Sequence, residues 1–562
     1  MKTFSITYLA VVLLLFSNSK LTAQTRLLKT VLPVSKEKLY QNLKSVAYQG
    51  EVALFEFEPD ISSKKTISVE LEGRPVEFTL KELDMRGDGN FTWYGGNQRE
   101  SGSIVLVQMA GHLAGNIFYD LKSYTISPYG RGRAALYVAS EEGLPLFADP
   151  SAPMAVTGMP KQKALRLSAE SDSVVTIRIL FAYTQDIETR VSNMGYPDMK
   201  LFLQASIGNA NATYINSNVT HRIQFVCGVK VSFPGEGIGY AQPILAKFSG
   251  VSDGNMDEIH DYRNFYSADV CVLVTKDLVD PERGGLCGIA TAVGSTDSSA
   301  FCAVAWGCML SSTNTLAHEI GHLNWCRHNV EEDANTTPAP YAHGYRNPTK
   351  GWRTVMAYRC EDPLPSCPSI PYFSNPNVSY LGDPTGTATT HDNARVLNEN
   401  SASLAGYRSA PIDLILTDSA SLSDDEFGQA IATSEILLTS GFEVTDSSYF
   451  DALVSPSAGN IDYAPFRKAL TITVATIDGI EKGDFNVYPN PTNGHFSIKR
   501  ANGKSGPIKL SVINITGKQV ISAASQMNDL VDVNISGNPP GVYILRINEG
   551  DTVFTRKILL SE

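Results

Sequence analysis

The sequence predicts an α/β (α+β) domain with a mixed, twisted sheet in the middle of the chain and β-rich units on either side. Strand-like and helix-like segments alternate between residues 171 and 410, which is typical of a mixed sheet covered by helices. Short apolar runs separated by glycine-containing turns occupy residues 24–170 and return after residue 480. At 562 residues the chain is long enough for three or four domains.

The first 23 residues have the pattern of a secretory signal peptide. Lys2 gives the positive charge, residues 8–16 form the apolar run, and Leu21-Thr22-Ala23 is a suitable cleavage site. This run is too short to cross a bilayer and no later stretch is long enough, so we expect no transmembrane anchor. The net charge of −12 argues against nucleic acid as a partner. We therefore predict a secreted protein that is extracellular or at the cell surface.

Residues 24–170 form the first predicted domain, which is β-rich. Its clearest strand patterns are at residues 91–94, 103–109 and 113–119. The composition becomes polar in residues 160–173, where Lys161, Lys163 and Arg166 offer sites for proteolytic processing in an exposed linker.

Residues 171–410 form the second predicted domain. A helix at 198–217 places Leu203, Ile207, Ala210 and Tyr214 on one face, so we expect one buried side. The other predicted elements are strands at 174–183, 221–231 and 268–275, a helix at 253–265, short strands at 284–290 and 301–306, and a last helix at 391–408.

The stretch Thr315 to His328 contains a candidate metal site. His318 and His322 are four residues apart, so on a helix they project from one face and can bind one metal ion. Glu319 lies beside them and can accept a proton from a water on that ion. His328 follows six residues after His322, far enough for the helix to end and the chain to return. Three nitrogen ligands leave a fourth position for water, which is typical of a catalytic zinc site.

All eight cysteines lie between residues 227 and 367, around the candidate metal site. An even number in an exported protein favours disulfides, although the sequence does not fix the pairs. Cys360 and Cys367 would close a short loop, and we predict this pair. Cys326 lies between two candidate ligands, but a thiolate there would fill the position that water needs, so we expect no metal bond from it.

These motifs resemble the metzincin peptidases, in particular the reprolysin-like bacterial enzymes related to peptidyl-Asp metalloendopeptidases. The likeness rests on the zinc motif and on residues 352–360, 372–376 and 393–396, and it covers about residues 174–408. It implies one catalytic Zn²⁺ bound by His318, His322 and His328, with Glu319 as the general base. It also implies that Met356 forms the Met-turn, an apolar floor below the metal.

One position departs from the metzincin pattern. Those enzymes usually have glycine where the zinc helix stops, and this chain has Trp325. A left-handed tryptophan costs on the order of 1 kcal/mol or more, whereas asparagine tolerates that conformation. We therefore expect the turn to shift by one residue, to Asn324.

The resemblance implies further residues at the substrate. Tyr358 is similar to the tyrosine of astacins and serralysins that can ligate zinc or bind the oxyanion, although a buried tyrosine with a satisfied hydroxyl explains it equally well. Gly288, Ile289 and Ala290 lie where metzincins have the edge strand that binds substrate as an added strand.

Two arginines near the Met-turn suggest a specificity for acidic substrates. The resemblance implies that the segment around and after the Met-turn lines the pocket for the residue after the scissile bond. Arg353 and Arg359 lie in that segment, and a guanidinium in the pocket would favour aspartate. The alternative is that both arginines face solvent or pair with Glu361 and Asp362, which leaves a broader preference.

The resemblance implies that residues 24–170 are a pro-domain. The alternative is that they form a β-domain with no inhibitory role. A cysteine switch is excluded because no cysteine precedes Cys227. An aspartate could bind the metal instead, and Asp88 and Asp149 are candidates that are equally explained as ordinary turn residues.

Residues 411–480 have few motifs and predict a linker with a small β-module. Residues 481–562 include the run Val487 to Gly494 and later short strands at 541–545 and 557–560. They closely resemble the C-terminal sorting domain of type IX secretion in Bacteroidetes, a small antiparallel β-sandwich that the export machinery recognises.

The sequence therefore predicts a secreted zinc metalloendopeptidase that acts on proteins or peptides and that has the type IX machinery as a partner. Calcium is not indicated, since no loop has a ligand pattern that specifies it. The alternative is a surface binding or adhesive protein with an inert peptidase domain.

Overall fold

The structure is a computed structural model of the chain. The signal peptide, the 160–173 linker, Asp88, Asp149, Glu361 and Asp362 lie outside the residues that it describes. Side chains are not described in residues 413–454. The described residues are 27–31, 37–58, 60–86, 89–97, 101–139, 175–233, 240–281, 284–311, 314–360, 367–408, 413–416, 427–432, 435–438, 449–454, 485–490, 492–500, 506–514, 519–527, 530–538, 541–549 and 552–560.

The N-terminal region forms one antiparallel sheet of nine strands, hereafter the N-terminal sheet, in the order β1-β2-β9-β8-β7-β6-β5-β4-β3. Its interior is apolar and includes Phe78, Trp93 and Leu106. The three predicted strands are confirmed as β5, β6 and β7. The elements are β1 (Leu28–Val31), α1 (Lys38–Val46), β2 (Ala53–Phe57), β3 (Thr66–Leu71), β4 (Arg74–Met85), β5 (Phe91–Asn97), β6 (Gly102–Met109), β7 (His112–Tyr119), β8 (Lys122–Pro128) and β9 (Arg133–Val138).

The central region contains the predicted mixed sheet. Four strands, β16, β12, β10 and β11, are parallel, and β15 pairs antiparallel with β16 at one edge. The strands are β10 (Thr176–Tyr183), β11 (Arg222–Lys230), β12 (Val270–Thr275), β13 (Leu278–Asp280), β14 (Gly284–Leu286), β15 (Gly288–Ala290), β16 (Phe301–Ala305), β17 (Arg346–Asn347), β18 (Trp352–Arg353), β19 (Ser379–Tyr380) and β20 (Asp383–Pro384).

Six helices accompany this sheet. Those named α3 and α6 pack on one face and α4 and α5 on the other, so each face has its own apolar core. The predicted helix at 253–265 begins only at Glu258, and α2 and α4 were not predicted. The helices are α2 (Gln185–Asn193), α3 (Met199–Asn216), α4 (Ala241–Ser249), α5 (Glu258–Phe265), α6 (Thr315–Leu323) and α7 (Asn393–Leu404).

Part of the segment after α7 joins the central sheet instead of forming a separate β-module. Strands β22 (Phe427–Ala432) and β24 (Tyr449–Val454) extend the central sheet beyond β11, while β21 (Asp413–Leu416) pairs with β23 (Glu435–Leu438). Without β22, β11 would be an edge strand with unpaired backbone groups.

The C-terminal region contains two antiparallel sheets, in the orders β25-β26-β29 and β28-β27-β30-β31. Residues from both sheets, such as Ile498 and Leu545, belong to one apolar core. Among the described residues, no helix is long and apolar enough to cross a membrane. The strands are β25 (Phe485–Tyr488), β26 (His495–Arg500), β27 (Gly506–Asn514), β28 (Gln519–Met527), β29 (Leu530–Asn534), β30 (Gly541–Glu549) and β31 (Thr552–Leu560).

Candidate metal centre

The candidate site is built on helix α6, all nine residues of which are buried. One turn of helix separates His318 from His322, so both rings project from the same face. The helix begins after Asn314, which is left-handed with φ 51°, a conformation that asparagine tolerates.

The end of α6 corrects the prediction for Asn324. Trp325 itself is left-handed, with φ 74°, whereas Asn324 has φ −103°. The N–H of Cys326 donates to the Gly321 carbonyl at 2.9 Å and that of Trp325 to the His322 carbonyl at 3.0 Å, which are the two bonds of a Schellman motif. The turn has therefore not shifted, and tryptophan occupies the usual glycine position.

Packing explains why tryptophan is tolerated there. The indole of Trp325 is 6% exposed and lies against Gly294, where an added Cβ would stand 2.2 Å from the ring. Burial of an indole contributes about 3 kcal/mol or more, which exceeds the cost of about 1 kcal/mol for a left-handed residue. The 294–295 loop also satisfies the helix end, since the N–H groups of Gly294 and Ser295 donate to the carbonyls of His322 and Leu323.

Three imidazole nitrogens converge at the end of this helix. The Nε2 atoms of His318 and His322 are 3.0 Å apart, those of His322 and His328 are 3.0 Å apart, and those of His318 and His328 are 3.3 Å apart. Three nitrogens bound to one tetrahedral zinc at 2.0–2.1 Å would be separated by about 3.3 Å. The three side chains are buried and form the one group of potential metal ligands found among the described residues.

The opposite ring nitrogens set the tautomers. The Nδ1–H of His318 donates to the Val355 carbonyl and that of His322 to the Cys326 carbonyl, each at 2.8 Å. A carbonyl oxygen only accepts, so both Nε2 atoms carry lone pairs, and these would repel each other at 3.0 Å without a cation. Burial lowers the pKa of His322 to about 4 and that of His318 well below its usual value, so both rings are neutral, as metal ligands must be.

The position of His328, the third predicted ligand, depends on residues that the sequence did not single out. The Nδ1–H of His343 donates to the backbone carbonyl of His328 at 2.8 Å. Arg327, which is 1% exposed, forms an ion pair with Asp333 at 2.7 Å. Its backbone N–H donates to the Ala342 carbonyl at 2.7 Å. These contacts fix the chain on both sides of His328, and their spacing in sequence gave no signal.

Met356, the residue of the predicted Met-turn, lies against helix α6. Its side chain is fully buried, and a Cβ added to Gly321 of α6 would stand 2.9 Å from the Met356 sulfur. The turn itself is closed by the Ala357 N–H, which donates to the Thr354 carbonyl at 3.0 Å. Glycine at position 321 therefore lets the Met-turn approach the zinc helix closely.

The predicted edge strand lies against Glu319. In β15, Gly288 pairs with Val304, Ile289 with Ala303 and Ala290 with Cys302, and the other side of β15 is the edge of the sheet. A Cβ added to Gly288 would stand 2.3 Å from the Glu319 carboxylate. The carboxylate and the edge strand are thus in direct contact, and any larger residue at position 288 would displace Glu319.

Tyr358 and Arg353 both lie near the histidines. The ring of Tyr358 is 4.3 Å from that of His328, centre to centre. The guanidinium of Arg353, which is 7% exposed, donates to the carbonyls of Ala357 and Cys367. These hydrogen bonds show that Arg353 stabilises the loop around the Met-turn. Arg359 is half-buried.

The cysteines form two disulfides. The predicted pair Cys360–Cys367 is confirmed. A second disulfide joins Cys287, just before β15, to Cys308, which follows β16. Cys326 is buried, and its thiol lies 3.9 Å from the Asn393 carbonyl rather than among the three histidines. Cys271 and Cys302 are also buried thiols outside these two disulfides, so the even number of cysteines overstated the number of disulfides.

Comparison with known proteins agrees with this geometry. Residues 174–374 match the family model described as metallo-peptidase family M12, and residues 486–561 match that of a secretion system C-terminal sorting domain. A peptidyl-Asp metalloendopeptidase of Xanthomonas campestris pv. campestris is 33% identical over 365 residues, covering 62% of this chain and 82% of the relative. One of Stenotrophomonas maltophilia is 34% identical over 371 residues, covering 62% and 84%.

Proposed function

The chain belongs to the M12 zinc metalloendopeptidases, in the family of the peptidyl-Asp metalloendopeptidases, and we propose on this basis that His318, His322 and His328 bind its catalytic zinc ion. The observation that supports this most directly is the convergence of the three Nε2 atoms within 3.0–3.3 Å. When bound, zinc lowers the pKa of a water toward about 7 and polarises the scissile carbonyl.

Glu319 is the proposed general base. It follows His318 directly on the helix and is completely buried, beside the edge strand through Gly288. From there the carboxylate can take a proton from the attacking water and pass it to the leaving amine. The substrate would bind as an added strand along β15, whose free edge includes Gly288, Ile289 and Ala290.

Zinc dependence tests the proposed function. We expect the purified protein to cleave casein, to lose nearly all activity in a zinc chelator, and to recover it when zinc is added back. Equal cleavage with and without the chelator would contradict the zinc mechanism. Absence of cleavage by a zinc-loaded, folded protein would favour the alternative, a surface binding or adhesive protein with an inert peptidase domain.

Tyr358 is proposed to bind the oxyanion, because its ring lies against the ring of a zinc ligand. Its backbone is held on both sides, since its N–H donates to Asn329 and its carbonyl accepts from Arg346, each at 2.9 Å. The side chain is therefore placed by a fixed main chain.

We predict that Tyr358→Phe lowers kcat about a hundredfold, the usual cost of one oxyanion donor, with KM and zinc content unchanged. Steady-state kinetics and metal analysis measure this. Tyr341→Phe is a matched control, since that hydroxyl donates to Glu399 on α7. A kcat for Tyr358→Phe equal to that of the control would leave Tyr358 a structural residue.

The proposed cleavage is on the N-terminal side of aspartate. The relatives' name, peptidyl-Asp metalloendopeptidase, refers to aspartate. Arg353 donates to two backbone carbonyls of this loop. We propose that Arg359, which is half-buried, binds the acidic side chain. A charged hydrogen-bond pair there is worth roughly 1.5–3 kcal/mol, or about tenfold to a hundredfold in discrimination.

We predict that Arg359→Ala lowers the preference for aspartate by that factor, measured by mass-spectrometric mapping of cuts in a peptide library. Arg395→Ala, which removes an exposed ion pair with Glu399, should leave the cut sites unchanged. If the unaltered enzyme cuts before leucine or phenylalanine and never before aspartate, neither arginine contacts the substrate.

The remaining assignments concern export. Residues 486–561 match a sorting domain, which implies secretion through the type IX machinery.

We propose the boundaries 1–23 for a signal peptide, 24–170 for a pro-domain, 171–410 for the peptidase, 411–480 for a linker region and 481–562 for the sorting domain.

A further inference from the structure

Helix α3 is buried on all sides. A helix on the outer face of a domain would have one side exposed to solvent. Of its 18 residues, 17 are buried. One side contacts β11 of the central sheet and the other contacts β5, β6 and β7 of the N-terminal sheet. A helix without an exposed face belongs to an interior, so α3 lies in the middle of a continuous structure rather than on the surface of a peptidase domain.

The centre of this contact is apolar and closely packed. Tyr94, Val105 and Val107 of the N-terminal sheet belong to the same core as Ile320 of the zinc helix. A Cβ added to Gly208 of α3 would stand 2.9 Å from the Val105 side chain, so the helix and the sheet approach closely at a glycine. Contacts of this kind are typical of permanent interfaces, which resemble a domain core cut in half.

Directional polar contacts surround the apolar centre. Arg222 of β11 is 8% exposed and donates from two nitrogens to both oxygens of Glu82 in the N-terminal sheet, at 3.1 and 2.8 Å. Lys81 donates to the side chain of Asn216 at the end of α3, at 2.8 Å. A bidentate arginine–carboxylate pair fixes the orientation of the two parts as well as holding them together.

The contact extends to the start of the zinc helix. Asn116 of the N-terminal sheet donates to the Leu310 carbonyl at 3.3 Å, a few residues before α6. From α3, Asn209 donates at 3.3 Å to Asn314, the residue that precedes α6. Asn116, Asn209 and Asn314 line one small cavity together with Ser103 and Ser123. The N-terminal sheet and α3 therefore support the segment from which the zinc helix begins.

We propose that the N-terminal sheet is a permanent structural partner of the peptidase, which stays bound to α3 in the active enzyme after any cut between residues 139 and 175. Its release would expose the apolar side of α3 and leave Arg222 and Asn216 without these partners.

A controlled cut tests this proposal. A recognition sequence for a specific protease is inserted between residues 139 and 175 of the full chain, and the protein is cut and passed over a native size-exclusion column. We expect the two fragments to elute together in equal amounts, to unfold at one temperature, and to cleave casein as a complex.

Separation into a free sheet and a folded, active catalytic fragment would overturn the proposal. So would a complex that becomes active only when the sheet is removed. If neither form cleaves casein, the proposed peptidase function fails, and co-elution alone decides the question of binding.

Paired variants test whether the assigned contact holds the fragments together. In the cut protein, Glu82→Gln removes the charge that Arg222 binds. This should raise the dissociation constant of the two fragments about tenfold, a figure that already allows for the partial exposure of Glu82. Glu72→Gln removes an ion pair with Lys122 that lies within the N-terminal sheet, so it should leave that constant unchanged. Equal dissociation constants for the two variants would contradict the assignment.

Discussion

Replacing Glu319 with glutamine should lower kcat by about a hundredfold to ten thousandfold, the range attributed to general acid–base catalysis. The amide keeps the shape of the carboxylate beside Gly288 but cannot accept a proton. Glu319 lies on the helix between the ligands His318 and His322 and is not proposed to bind the metal, so zinc content and thermal stability should not change. Steady-state kinetics, metal analysis and a thermal unfolding curve measure these three quantities.

Glu188→Gln provides a matched control for that variant. The Glu188 carboxylate on α2 pairs with Lys230 of β11, and neither residue is proposed to act on the metal or the substrate, so its loss should change kcat little. A rate for Glu319→Gln within tenfold of the unaltered enzyme would show that another group takes the proton.

His328→Ala should act on the metal instead. Two histidines bind zinc less tightly than three, and removal of a direct ligand should weaken binding on the order of a hundredfold or more, since loss of an outer partner alone costs tenfold to a hundredfold. Activity should fall in parallel with zinc content and should return in part at high zinc concentration. Titration with a competing chelator measures the affinity directly.

His495→Ala is the control for the loss of a histidine, because His495 is exposed in the C-terminal region. Its zinc affinity and activity should equal those of the unaltered protein. Full zinc occupancy of His328→Ala under competition would mean that the third ligand lies elsewhere in the chain.

The sequence by itself determined the elements whose pattern is local. A four-residue spacing on a helix is enough to put His318 and His322 on one face with Glu319 beside them, and a short loop is enough to bring Cys360 to Cys367. Period-two and unbroken apolar runs likewise predicted β5, β6, β7 and β12 close to their observed bounds.

Only the tertiary structure decided features that depend on residues distant in sequence. Trp325 keeps a left-handed conformation because Gly294, 31 positions earlier, makes room for its ring. His343 and Arg327 secure the position of His328 through backbone carbonyls, which carry no sequence signal. The periodicity of α3 showed one apolar face, and its second covered face depends on a sheet that ends about 60 residues before it. Local patterns report what a residue can do in its own element, whereas packing between elements decides what it does.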